Sequence, residues 1–400
     1  MTKRKAQDAG LDLDFDDFKR NAKFMSREIT NLQADLKLTN EIHPFFREGQ
    51  FEGLSTDEYR AIEQSARLAS KFLESGSLDN FFHIIFFAKA QPAELIHKKI
   101  RARRYRKEDI DSDRKVPCPE IRRVKDLLRR MCEHSHYQIT WNVDEGALTN
   151  DIKNSNTRSK KYPRGLKSVI RISRNTFNDL LRAVGSEDTP RRIALTFEFA
   201  VMLLHEMAHA CSCFVDCDPQ YDAFFGDRRE TNEIGFEMEN FLFGGILTRV
   251  YPEEDPEAGL YRDHDHDSAL TGAVVLWEFP YQLQVQGYLG SKEADILVAE
   301  QPKKQRPLDM AWRVPLTFLQ DFFRDDFWNS LGSNDLLPKR EVAFCFRVHK
   351  VRQNVLLVPV KASGNISLER QYVPAGFRRI ASGDIVPFSP TTARKKPKPR

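Results

Sequence analysis

Apolar positions along the chain fall into two spacings, and the change between them marks the elements. Ser55-Thr56-Asp57-Glu58 pairs a serine with an acid three residues on, a capping box that opens a helix running to about Leu73, where Ser75-Gly76-Ser77 ends it. A second helix follows, dense in aromatics and aliphatics: Phe81, Phe82, Ile84, Ile85, Phe86 and Phe87. A third helical pattern runs from Pro119 to Met131. Residues 137–143 alternate and predict a strand, and 168–173 predict another. Between them lies a polar stretch, Thr149 to Gly165, carrying Arg158, Lys160, Lys161 and Arg164, which the pattern assigns to a long hairpin or loop. Thr189 suits a cap and Pro190 the first helical position. From there Ile193, Ala194, Phe197, Ala200, Val201 and Leu204 recur at helical spacing. Residues 315–329 predict one more helix, and 341–349 with 354–360 predict two strands able to pair.

The long helix after Pro190 carries the chemistry. His205-Glu206-Met207-Ala208-His209 reads H-E-x-x-H. Positions i and i+4 share one helix face, so both imidazoles can reach one cation. Glu206 lies about 100° around the helix from His205, beside such a cation rather than on it, where it can take a proton from water. Two nitrogens and a nearby base are the parts of a zinc hydrolase. The bland reading of the same residues is two histidines on an amphipathic helix; two histidines and an acid in an apolar helix argue against it.

A third ligand is expected from the next acidic segment. Read as one helix from Arg229, it places Glu230, Glu233 and Glu237 on a single face. Glu233 is the expected ligand, with Glu230 and Glu237 as alternatives. Glu237, one turn on, is placed to accept the other ring N–H of a metal-bound histidine.

His205-Glu206-x-x-His209 followed by Asn232-Glu233-x-x-x-Glu237 resembles the gluzincin group of zincin metallopeptidases, over about 70 residues. The resemblance implies a Zn²⁺ cofactor held by His205, His209 and Glu233, Glu237 as partner of His205, and Glu206 as general base in peptide hydrolysis. Glu stands at 237 where that group has Asp. Val169 to Ser173 resembles the strand before the helix in zincins, and by that analogy 168–173 is the candidate edge strand for an extended substrate. An oxyanion stabiliser is expected from Tyr261, His264, His266 or Tyr281. A solvated loop is the plain alternative for the run from Tyr261 to Asp267. The implied fold is α+β, mainly helical, with a small zincin-type sheet beside the motif helix.

Composition adds limits. The chain has 400 residues, 40% hydrophobic, with 29 Phe and a net charge of +4, so a globular core is expected and no global electrostatic partner is implied. Five regions are expected: a disordered segment 1–25 around Asp12, Asp14, Asp16 and Asp17, a helical region 26–135, a metallopeptidase-like core 136–300, a helix and strand pair 301–388, and a basic tail 389–400. No secretory signal or membrane span is read, which places the chain inside the cell, in cytoplasm or nucleus. Its six cysteines show no disulfide framework. Cys211, Cys213 and Cys217 read as buried thiols at a helix end, or as a second metal site or redox switch.

Three functions follow. The first is an intracellular zinc peptidase acting on protein or peptide. The second is a binding or scaffold protein on a zincin fold, against which an intact Glu206 argues. The third is a nucleic-acid-associated protease, docked by the basic run from Lys98 to Lys107 and by the tail, a run that otherwise forms a solvated face.

Overall fold

The computed structural model describes residues 36–93, 102–105, 116–141, 147–151, 168–215, 232–249, 274–277, 310–330, 345–351, 354–360, 377–379 and 385–387, with Leu32, Ala223 and Phe225. The fold is α+β and mostly helical. A short strand β1 (Phe51–Glu52) precedes α1 (Thr56–Glu74), which starts on the expected capping box: Ser55 Oγ accepts from the Glu58 backbone and Glu58 accepts from the Ser55 backbone. Next come α2 (Asp79–Phe87), the paired strands β2 (Gln91–Ala93) and β3 (Ala102–Arg104), and α3 (Cys118–Arg130). The central block holds β4 (Ser135–Thr140), β5 (Ala147–Asp151), β6 (Ser168–Ser173), α4 (Arg174–Val184), α5 (Thr189–Val215) and α6 (Ile234–Phe243). Beyond it lie β7 (Ile246–Arg249), β8 (Val274–Trp277), β9 (Met310–Val314), α7 (Leu316–Asp321), α8 (Asp325–Asn329), β10 (Cys345–Val351), β11 (Asn354–Val360), β12 (Phe377–Arg379) and β13 (Ile385–Pro387).

The first sheet has the order β1-β4-β6-β5, with β1, β4 and β6 parallel and β5 antiparallel to β6. Strand β6 therefore lies inside the sheet. The edge-strand role expected for 168–173 is wrong: hydrogen bonds to β4 and β5 occupy both its sides. The outer strand beside α5 is β5, whose last three residues, Thr149 to Asp151, open the polar stretch. The second sheet runs β7-β8-β9-β10-β11, all antiparallel, and includes the expected β10–β11 pair.

One hydrophobic cluster spans Leu38 to Phe323, crossing the expected boundaries at 135/136 and 300/301. Tyr137 on β4 stacks on Phe51 at 4.6 Å, and its buried hydroxyl donates to the Leu203 carbonyl of α5 at 3.2 Å. Phe72 on α1 touches the rings of Phe197, Phe243, Phe322 and Trp328. These contacts seat α5 between the first sheet and the other helices. By length and composition α5 could cross a membrane, but 78% of its apolar window is buried inside the fold, which accounts for its apolar character.

Local expectations need three corrections. Asp188, not Thr189, caps α5: its Oδ1 accepts from the Arg191 backbone at 3.1 Å. The helix predicted over 315–329 is two short helices, broken where Arg324 is extended (φ −119°, ψ 126°). Helix α4 forms where no element was predicted, with Phe177, Leu180 and Ala183 facing inward.

Candidate metal centre

The histidines of the motif lie one turn apart on α5, with ring centroids 5.2 Å apart. The third group comes from the start of α6. That helix begins at Ile234, so Glu233 is not within it. Glu233 is its N-cap (φ −79°, ψ 98°), and Oε2 accepts from the Phe236 backbone. The other oxygen, Oε1, lies 3.2 Å from His205 Nε2 and 2.5 Å from His209 Nε2. Ligand atoms of His205, His209 and Glu233 fall within 4.8 Å of one another, and they are the one group of this kind among the described residues.

Three residues of α6 lie against His205. Its Nδ1–H donates to Glu239 Oε1 at 2.9 Å, and Phe236 meets its ring edge to face at 4.9 Å. Gly235 lies flat against the ring: a β-carbon there would fall 2.4 Å from Nε2. The acid on Nδ1 is Glu239, where Glu237 was expected. Because Glu233 is extended rather than helical, the phase counted from it slips, and Glu239 comes to His205 instead. Both residues are buried, Glu237 at 2% exposed and Glu239 at 5%. A carboxylate among Met238, Phe241, Leu242 and Phe243 was the sequence signal for Glu239; an early-helix glycine was the signal for Gly235.

Electrostatics follow from this crowding. Burial lowers the His205 pKa, but Glu233 and Glu239 outweigh it and raise the imidazole from 6.5 to about 10. Burial raises Glu233, yet His205 and His209 outweigh that and hold it well below its ordinary range. Glu239 is raised by burial, against the pull of His205. Glu206 is 5% exposed, near Tyr137: burial first, then the Glu206 charge, keeps the Tyr137 phenol well above its usual range. Glu206, Glu233, Glu237 and Glu239 are thus four carboxylates under one tenth exposed in one small region. Buried carboxylates are costly unless each finds a proton, a hydrogen bond or a cation. Two imidazole nitrogens and one carboxylate oxygen suit Zn²⁺ in donor type and number.

Tyr261, His264, His266, Tyr281, Glu230 and Cys217 lie outside the described residues. Burial raises the Cys211 thiol well above its normal value, as expected of a buried cysteine. Of the basic run, Ala102 to Tyr105 is described, and Tyr105 is buried against Phe225. Comparisons of the chain with family models, with curated proteins and with solved structures returned no match.

Proposed function

We propose that the chain is a zinc-dependent metallopeptidase of gluzincin type. The convergence of His205 Nε2, His209 Nε2 and Glu233 Oε1 carries this reading. Those three side chains would hold Zn²⁺. When bound, Zn²⁺ supplies Lewis acidity and makes water a better nucleophile at neutral pH. Glu206 takes a proton from the attacking water as its oxygen bonds to the peptide carbonyl carbon. It then delivers that proton to the amide nitrogen as the C–N bond breaks. Glu206 stands next to His205 in sequence but outside the ligand trio, which suits a base better than a ligand. The substrate-pairing role moves to β5, the outermost described strand on that side of the first sheet, whose outer backbone groups offer a template for an extended peptide.

The test is zinc content by elemental mass spectrometry together with hydrolysis of a denatured-protein substrate. Wild type should carry about one zinc per chain, in line with a three-ligand catalytic site. His205→Ala and Glu233→Ala should lose metal and activity, and Glu206→Gln should keep metal and lose activity. A wild type that takes up no zinc after reconstitution removes the proposal and leaves a scaffold built on the same fold.

A further inference from the structure

Glu239 uses both carboxylate oxygens. Oε1 accepts from His205 Nδ1 at 2.9 Å, and Oε2 accepts from the backbone N–H of Leu247 at 3.4 Å. Leu247 belongs to β7, the outer strand of the five-stranded sheet, and an outer strand has backbone donors that its neighbour does not take up. The turn between α6 and β7 is fixed by Gly244, left-handed at φ 70°, ψ 21°, whose N–H closes on the Asn240 carbonyl. The short path from Glu239 to Leu247 is therefore set by local geometry. A carboxylate with one oxygen on an imidazole and the other on a strand leaves the ring little freedom to rotate.

We infer that Glu239 is the positioning residue of the metal centre, and that it ties His205 to β7 so that metal affinity depends on the seating of the second sheet. This rests on the metallopeptidase reading to the extent that a cation is bound. It differs from the pattern that the resemblance implied, in which the acid four residues after Glu233 orients the histidine. Here the orienting acid is six residues on, and it links the ligand to an element outside the motif.

The test compares wild type, Glu239→Gln, Glu239→Ala and Glu237→Gln. Zinc affinity is read by chelator competition, the visible spectrum after cobalt substitution, and amide exchange of the 246–249 segment in the zinc-loaded protein. Glu239→Ala should bind zinc about 10- to 100-fold more weakly, the range for loss of a carboxylate behind a histidine ligand. Glu239→Gln still accepts from Nδ1–H without charge and should fall between Ala and wild type, with a shifted cobalt spectrum. Exchange at 246–249 should quicken in Glu239→Ala. Glu237→Gln should bind zinc as wild type does.

Wild-type affinity and spectrum in Glu239→Gln would overturn the inference, even if its melting temperature fell, because a structural role alone lowers stability without altering the ligand field. Loss of affinity in Glu237→Gln with Glu239→Gln unaffected would overturn it in favour of the four-residue spacing. If Glu239→Ala does not fold, Glu239→Gln, nearly identical in shape, decides. Failure of wild type to bind zinc sinks the metallopeptidase reading itself; wild-type binding with an indifferent Glu239 sinks only the positioning role.

Discussion

The backbone of Gly235 lies so close to the imidazole of His205 that a β-carbon would stand 2.4 Å from its metal-facing nitrogen. The ring cannot easily yield, since Glu233 and Glu239 hold its two nitrogens. Gly235→Ala should therefore weaken zinc binding at least tenfold in a chelator competition. Gly235 is only the second residue of α6, where the interior helix preference for alanine offers little offset, so a thermal melt of the same variant separates loss of fold stability from loss of metal affinity. Undiminished affinity would mean that the ring has another seat.

Stability of the metal-free chain should depend on pH through the same residues. His205 has a folded pKa raised from 6.5 to about 10, so its contribution is complete below about 6.5 and is lost as pH rises through about 10. Glu233 is depressed from 4.5, so its contribution is present above that value and is lost as pH falls below it. Glu239, raised by burial, also favours the acidic side. Thermal melts of chelator-treated protein should show this cluster at its most stabilising between 4.5 and 6.5, declining towards alkaline pH. Zinc replaces the His205 proton, so the rise in Tm on adding zinc should be larger near about pH 9 than near about pH 6. A zinc effect that shrinks as pH rises would contradict protonation of His205.

Glu206 separates binding from catalysis. Glu206→Gln should retain zinc while kcat falls by about 10²- to 10⁴-fold, the usual scale for losing a general base. Steady-state hydrolysis beside metal analysis of the same preparation checks it. Loss of metal together with activity would move Glu206 from base to ligand.

Phe72 tests how far the molecule behaves as one unit. Its ring meets Phe197 of α5, Phe243 of α6, Phe322 and Trp328. Phe72→Ala should cost about 3–5 kcal/mol, as for other buried phenylalanines, and move the urea midpoint of a single transition. Two separated transitions in wild type would show instead that residues 26–135 unfold apart from the metal centre.

What could be read from sequence follows the reach of each physical signal. Helical spacing of i and i+4 is local, so His205 and His209 were legible as a pair, and Ser55 with Glu58 as a cap. Glu233 stood out as an acid among apolar residues, but its position ahead of α6 was not visible. A single non-helical residue turns the helix phase, and the expected partner shifted from Glu237 to Glu239. Strand order is non-local. The short β5, Ala147–Asp151, gave no alternation, so β6 looked like an edge although β5 covers it. At the break beside Arg324, Asp325 accepts from the Thr39 hydroxyl and pairs with Lys71, contacts from distant chain that periodicity does not report.

His209 and Glu233 meet across 24 positions of chain. Their contact closes a loop in the native state that the unfolded chain leaves open. A cation bridging both residues would act as a reversible crosslink, opposing the entropy of an open loop of that length by about 3 kcal/mol if it behaved as a covalent one does. Unlike a disulfide, such a link needs no oxidant and can be undone by a chelator. The tie between α5 and the start of α6 would then be undone without any covalent bond being cut.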